Sequence, residues 1–265
     1  MLTIDLSGTT CAITGGSAGS GLATADLFLL AGAAVAICGR DATRLRKAEA
    51  GLRTTHAGAR LLAMPCDVLD AAQVQAFAAA AAQRFAGVDV LVNNAGQGRV
   101  STFATTSDAD WADEWQLKLF SLVYPTRAFL PYLERSTHAA VVCVNSLLAL
   151  QPEPHMVATS AARAGALSLM HSMAAEFAPK GVRVNAILIG LVESGQWRRR
   201  FEQREDPAVT WEQWSGALAA RKGIPLERLG TPHEAARAIF HLATPASSYT
   251  TGSQIDVSGG LARHL

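Results

Sequence analysis

The chain has 265 residues, of which 49% are hydrophobic and 17% charged, with a formal net charge of +1. This composition excludes a disordered chain, which buries too little apolar surface to offset its ordering entropy. It also argues against nucleic acid or an anionic membrane as the main partner, since both demand a basic field.

The opening MLTIDLSGTT has neither the basic segment nor the apolar core of a secretory leader. No apolar run reaches the roughly 18 residues of a membrane span. A cytoplasmic protein is expected. Cys11, Cys38, Cys66 and Cys143 sit in or beside apolar runs and form no Cys-x-x-Cys pair. They read as buried thiols of a reducing compartment, with no metal site.

Short apolar runs alternate along the chain with Ala- and Leu-rich helical stretches. The predicted strands are Thr9–Thr14, Ala34–Cys38, Arg60–Met64, Val88–Val92, Ala139–Asn145, Val182–Ile187 and Ser253–Val257. Their continuous apolar character suits strands covered on both faces, and the alternation predicts an α/β fold with a doubly wound parallel sheet (a Rossmann fold) in one domain spanning 1–265. After the first strand comes Thr14-Gly15-Gly16-Ser17-Ala18-Gly19-Ser20-Gly21, then a helix from Leu22. Glycines let backbone approach a pyrophosphate, and the helix N-terminus supplies free N–H groups. The second strand ends Cys38-Gly39-Arg40-Asp41. Arg40 suits a 2′-phosphate and favours NADP, with NAD possible. Asp41 is read as the cap of a helix over Ala42–Leu52. Residues 193–225 interrupt the rhythm with three of the five tryptophans and a balanced set of charges. A long irregular insertion of this kind is either a lid, offering Trp197 and one or two of Arg198, Arg199 and Arg200 to substrate, or a solvated helix face.

With these motifs in hand, the chain resembles the short-chain dehydrogenases/reductases over nearly its whole length. The Thr-Gly-x-x-x-Gly-x-Gly loop stands at 14–21, with Ser20 where Ile is usual. Cys66-Asp67-Val68, Asn93-Asn94-Ala95-Gly96, Arg183-Val184-Asn185-Ala186-Ile187 and the closing Thr251-Gly252 and Asp256-Val257-Ser258-Gly259-Gly260 follow in the family's order. The resemblance implies hydride transfer between NAD(P)H and a small carbonyl or alcohol. It implies cofactor contacts from Gly15, Ser17, Ala18, Gly19, Ser20, Gly21, Asp67, Val68, Asn93, Ala95, Gly96 and Val192, besides Arg40. Homodimers or homotetramers through helices near 111–133 and 155–178 are also implied, the stripe Ala162, Ala166, Leu169, Met173 suiting either such a face or packing on its own sheet.

The resemblance also implies an Asn-Ser-Tyr-Lys catalytic set, and here the chain departs from it. Ser146 keeps the Ser position, but the Tyr and Lys positions hold Thr159 and Arg163, and the Asn position falls on Lys118. Tyr124, Tyr132 and Tyr249 have no Lys four residues on. A Thr hydroxyl is a far weaker acid than a phenol, whose pKa is about 10. Arg163 offers fixed charge and a fork for ribose hydroxyls but no proton. Two substitutes are candidates for the acid. His155 would share a face with Thr159 if the helix of 155–178 has begun there; otherwise it is a loop residue. Lys118 would have a lowered pKa if buried near Arg163; otherwise it pairs with Glu114 at i−4. Three functions stay open: a reductase with a rebuilt acid site, a dinucleotide-binding sensor or partner without turnover, and an isomerase or dehydratase on the same scaffold.

Overall fold

A computed structural model describes residues 4–263. Seven strands, β1 (Thr10–Thr14), β2 (Ala34–Gly39), β3 (Leu61–Pro65), β4 (Val90–Asn93), β5 (Ala140–Ser146), β6 (Arg183–Ile189) and β7 (Gln254–Val257), form one sheet. Their spatial order is β3-β2-β1-β4-β5-β6-β7, and every pairing is parallel. The predicted strands match to within a residue or two. The central strands are apolar without alternation because both of their faces are covered, and β1 is buried at every position. The edge strands β3 and β7 have neighbours on one side only and stay partly exposed.

Two cores sandwich the sheet. On one side pack α1 (Gly19–Leu30), α2 (Ala42–Thr55) and α9 (Pro232–Ala243), through Phe28, Leu45, Leu52, Ile239 and Leu242. On the other lie α3 (Ala71–Phe85), α5 (Ser121–Leu133) and α6 (Val157–Phe177), through Phe77, Phe129, Leu133 and Met170. The chain runs outward from β1 to β3, then returns to place β4 beside β1. Loops leaving the carboxyl ends of β1 and β4 therefore diverge, which opens a crevice where such sheets bind ligands.

One expectation changes and two open readings are narrowed. Residues 193–225 are not irregular: α7 (Gly195–Glu202) and α8 (Trp211–Lys222) fill most of the segment, and a reciprocal Thr210–Gln213 cap starts α8. Three of its arginines lie on aromatic rings, Arg198 over Trp211 at 3.8 Å, Arg200 over Trp197 at 4.8 Å and Arg204 over Phe201 at 4.0 Å. Cation–π contact thus engages Arg198 and Arg200, two of the three consecutive arginines of which one or two are expected at substrate. Second, Ala162, Ala166 and Met173 are buried within the chain, so this stripe packs on its own sheet. Third, α6 begins at Val157 with Met156 as its non-helical N-cap, which leaves His155 outside the helix.

The helix preceding α5 is unusual. Residues Asp108–Trp115 (α4) and α5 form one rod, but Gln116–Phe120 between them wind as a π-helical turn, and Lys118 lies at its centre. Such turns concentrate at functional sites. Trp115 rests against α6 at Gly165, where a Cβ would come within 2.9 Å of its ring. Among the described residues, no helix is long and apolar enough to cross a membrane.

Candidate active site

Every predicted site residue except His155 and those on helices stands on, or just past, the carboxyl end of a strand. At the β1 end the backbone dictates the loop. Gly15 has φ +65°, a conformation that L side chains rarely adopt. A Cβ on Gly21 would overlap Asn94 Nδ2 and stand 2.5 Å from the Gly15 carbonyl oxygen. Asn94 is the clamp. Its Nδ2 donates to the carbonyls of Thr14 (3.0 Å) and Gly15 (3.1 Å), while the backbone N–H groups of Asn94 and Ala95 donate to Thr14 Oγ1. Asn93, expected at the cofactor, points into the core instead and donates to Thr126 Oγ1 at 3.1 Å. Its Nδ2 is engaged there and its Oδ1 is buried, so any cofactor contact falls to its backbone. The sequence motif points to Asn93 and gives Asn94 no role, because two adjacent asparagines look alike until the strand end sets which one faces the loop.

The start of α1 is open to an anion. Its N-cap Ala18 has no capping side chain, no acid occupies the first turn, and nothing lies within 4 Å of a Cβ built on Gly19. Free N–H groups at such a terminus suit a pyrophosphate. Ser20 closes the turn by accepting Thr24 Oγ1 on its carbonyl. Ser17 stands beside the β2 end, its Oγ 3.0 Å from a Cβ built on Gly39. Asp41 caps α2, accepting from the Arg44 N–H at 2.9 Å and pairing with its guanidinium. Arg40, exposed, forms no ion pair among the described residues and is the cation available at that rim. Asp67 Oδ1 accepts from Leu69 N–H at 3.0 Å and Val68 is buried beside it. Val192 is buried in a bridge to Gly230.

At the other end of the crevice, a set of charges converges around Glu114, which is 2% exposed. Its Oε2 accepts from Lys118 Nζ at 3.0 Å and from Thr159 Oγ1 at 2.5 Å. Its Oε1 lies 3.9 Å from Arg99 Nε, and Arg99 is drawn outward by Asp110 and by Asp113 at 3.6 Å. Thr159 also accepts from the Arg99 N–H at 3.2 Å. With one proton and its shortest contact to Glu114, the Thr159 hydroxyl is committed inside the protein. Lys118 is 2% exposed, and burial, with repulsion from Arg163 and Arg99, lowers its pKa to about 8 against the pull of Glu114.

Arg163 Nη1 donates to the Val144 carbonyl at 3.0 Å, while its buried Nε has no partner. Its Nη2 lies 3.4 Å from a Cβ built on Gly96. Burial lowers its pKa to about 10, still cationic at neutral pH. Ser146 ends β5, its Oγ accepting from Leu148 N–H at 3.3 Å. His155 does not join the cluster: half exposed in its turn, it pairs with Glu153 at 3.0 Å. Nor does a tyrosine stand in, since Tyr124 packs on Phe120, Tyr132 packs against the core and Tyr249 is fully exposed. Glu114 was visible in sequence only as a helical partner of Lys118, and Arg99 gave no signal, because its contacts with Thr159 join residues 60 apart.

The uncapped α1 terminus, the open side of Gly19 and the orphaned donor of Arg163 together fit a dinucleotide lying across the crevice.

Residues 15–262 match a family described as Enoyl-(Acyl carrier protein) reductase. A short-chain oxidoreductase of Pseudomonas aeruginosa PAO1, described as containing an atypical catalytic center, is 66% identical, with a TM-score of 0.97 over 98% of this chain and 100% of that one. Its NADPH-bound structure gives 65% identity and a TM-score of 0.95, over 98% of this chain and 99% of that one. The L-sorbose reductase of Gluconobacter frateurii, solved with NADPH and L-sorbose, is 29% identical with a TM-score of 0.93, all of both chains being covered. A 3-oxoacyl-[acyl-carrier-protein] reductase of Thermotoga maritima is 30% identical over 97% of this chain and 98% of its own length.

Proposed function

The chain belongs to the short-chain dehydrogenase/reductase family, and on that footing we propose that it is an NADP(H)-dependent oxidoreductase of a small carbonyl or alcohol, with Lys118 as its proton donor. One observation carries the choice of acid: Lys118 is buried beside Arg163 with its pKa lowered to about 8, whereas the Thr159 hydroxyl is engaged by Glu114. A general acid works best when its pKa lies near the working pH. The intact glycine loop, the free guanidinium of Arg40 and the NADPH complexes of the two similar structures support NADP(H) as cofactor.

Bound NADPH supplies the hydride. The loop of 15–21 and the α1 terminus would hold its pyrophosphate, Arg40 its 2′-phosphate, Asp67 and Val68 its adenine, and the backbone of Asn93, Ala95 and Gly96 its ribose side. Val192 would flank the nicotinamide. Arg163 presents its unused donor to the ribose and a fixed positive charge to the developing alkoxide. Ser146 orients the substrate oxygen, and Lys118 Nζ delivers the proton to it. α7 and α8 form the lid over this site. Assembly into dimers or tetramers through α4–α5 and α6 rests on apolar surface left outside, including Trp115 at 40% and Phe120 at 39% exposed.

The test is NADPH oxidation across a panel of small ketones and aldehydes. Lys118→Met lowers turnover by about 10²–10⁴-fold while NADPH binding stays within about threefold. The acid must be protonated to donate, so reductive turnover falls as pH rises through about 8. Alcohol oxidation, which needs the neutral amine, rises through the same window. The committed Thr159 hydroxyl favours a second reading, a dinucleotide-binding protein without turnover. NADPH binding with no oxidation of any panel member would replace the first reading by the second.

A further inference from the structure

We propose that Glu114 is the positioning residue of this site: one of its carboxylate oxygens holds the Lys118 ammonium charged and locks the Thr159 hydroxyl, so that lysine and not threonine keeps a proton to give. The inference rests on the reading of Lys118 as the acid, and deepens it.

Proton counting supports the assignment. The threonine hydroxyl has one hydrogen, and Glu114 Oε2 takes it at 2.5 Å. Its lone pairs meanwhile accept the Arg99 N–H. Nothing is left to give a carbonyl. An ammonium has three hydrogens. Glu114 takes one at 3.0 Å, and two remain.

Charge counting agrees. The groups facing Lys118 are Glu114 from its own rod, Arg163 from α6 and Arg99 from the loop after β4. Asp110 and Asp113 draw Arg99 outward, so they offset much of its charge. Glu114 is therefore the anion set against buried Lys118 and half-buried Arg163, and without it the lysine would shed its proton to relieve the crowding. Glu114 never needs to touch substrate. It acts through the two groups that it holds.

The chain has four lysines, Lys47, Lys118, Lys180 and Lys222. Carbon-13 labelling at lysine Cε makes each titration visible by NMR without any substrate, and Lys118→Met identifies the Lys118 signal by its loss. In the full-length protein, Glu114→Gln should lower the Lys118 midpoint by about one pH unit or more. Glu114→Asp, which keeps the charge on a shorter arm, should lower it by less and serves if the amide variant melts early. Thr159→Val removes a competitor for Glu114, so the midpoint should hold or rise. The fall in reductive turnover should move to lower pH with the midpoint. A Lys118 midpoint within about 0.3 units of the parent in both Glu114 variants, folded by melting curve, overturns the proposal. Parent-like turnover in Lys118→Met would instead overturn the reading beneath it.

Discussion

The crevice has two ends built on different principles. At the β1 end, the work falls to backbone: N–H groups, a positive φ at Gly15, and the missing Cβ atoms of Gly15 and Gly21 packed against Asn94. At the β5–α6 end, the proposed chemistry rests on side-chain tips, those of Lys118, Ser146 and Arg163, with Thr159 held by Glu114. The first end keeps its family pattern with a single exception, Ser20. The second keeps only Ser146. A site made of backbone cannot be changed without breaking the turn, whereas a site made of side chains can be exchanged piece by piece if each position still carries suitable chemistry.

Substitutions at the two ends should therefore fail differently. Gly21→Ala forces a Cβ into Asn94 and the Gly15 carbonyl, and should weaken NADPH binding by about 100-fold, as read by quenching of the intrinsic tryptophan fluorescence. Parent-like affinity would mean that the loop adapts, and would dissolve the contrast between the two ends. Arg40→Ser removes a cation from the rim without touching the turn. It should weaken NADPH by about tenfold and leave NADH unchanged, measured by the same titration with both cofactors. Equal losses for the two cofactors would place Arg40 elsewhere than at the 2′-phosphate. The smallest effect belongs to His155→Ala, which breaks an exposed pair with Glu153 and should alter turnover by less than about twofold. A larger loss would return the histidine to the list of acids.

Much of the first end is legible in sequence because its information is local. A continuous apolar run, a glycine loop and a helix start lie within one short segment, and the strand predictions succeed for the same reason. The second end is legible only as positions. Counting picked out Lys118, Thr159 and Arg163, yet it could not show that the Thr159 hydroxyl meets Glu114, 45 residues away. His155 misled because the helix start was uncertain by two residues, enough to move it from a shared face to a turn. Residues 193–225 looked irregular because their apolar positions are aromatic and face arginines, so the pattern is polar although the fold is helical.

The π-helical turn at Gln116–Phe120 has a consequence for how this rod came to carry its charges. A turn that accommodates an extra residue advances everything after it by about 100° relative to an uninterrupted α-helix. The stretch ahead of the turn, with Glu114, and the stretch behind it, with Phe129 and Leu133 in the core, are thereby phased independently. Removing one residue from the turn would restore a regular spiral and swing Glu114 away from α6 while Phe129 stayed in place. The rod works as two spokes on a common axle, whose relative angle is set by a single inserted residue.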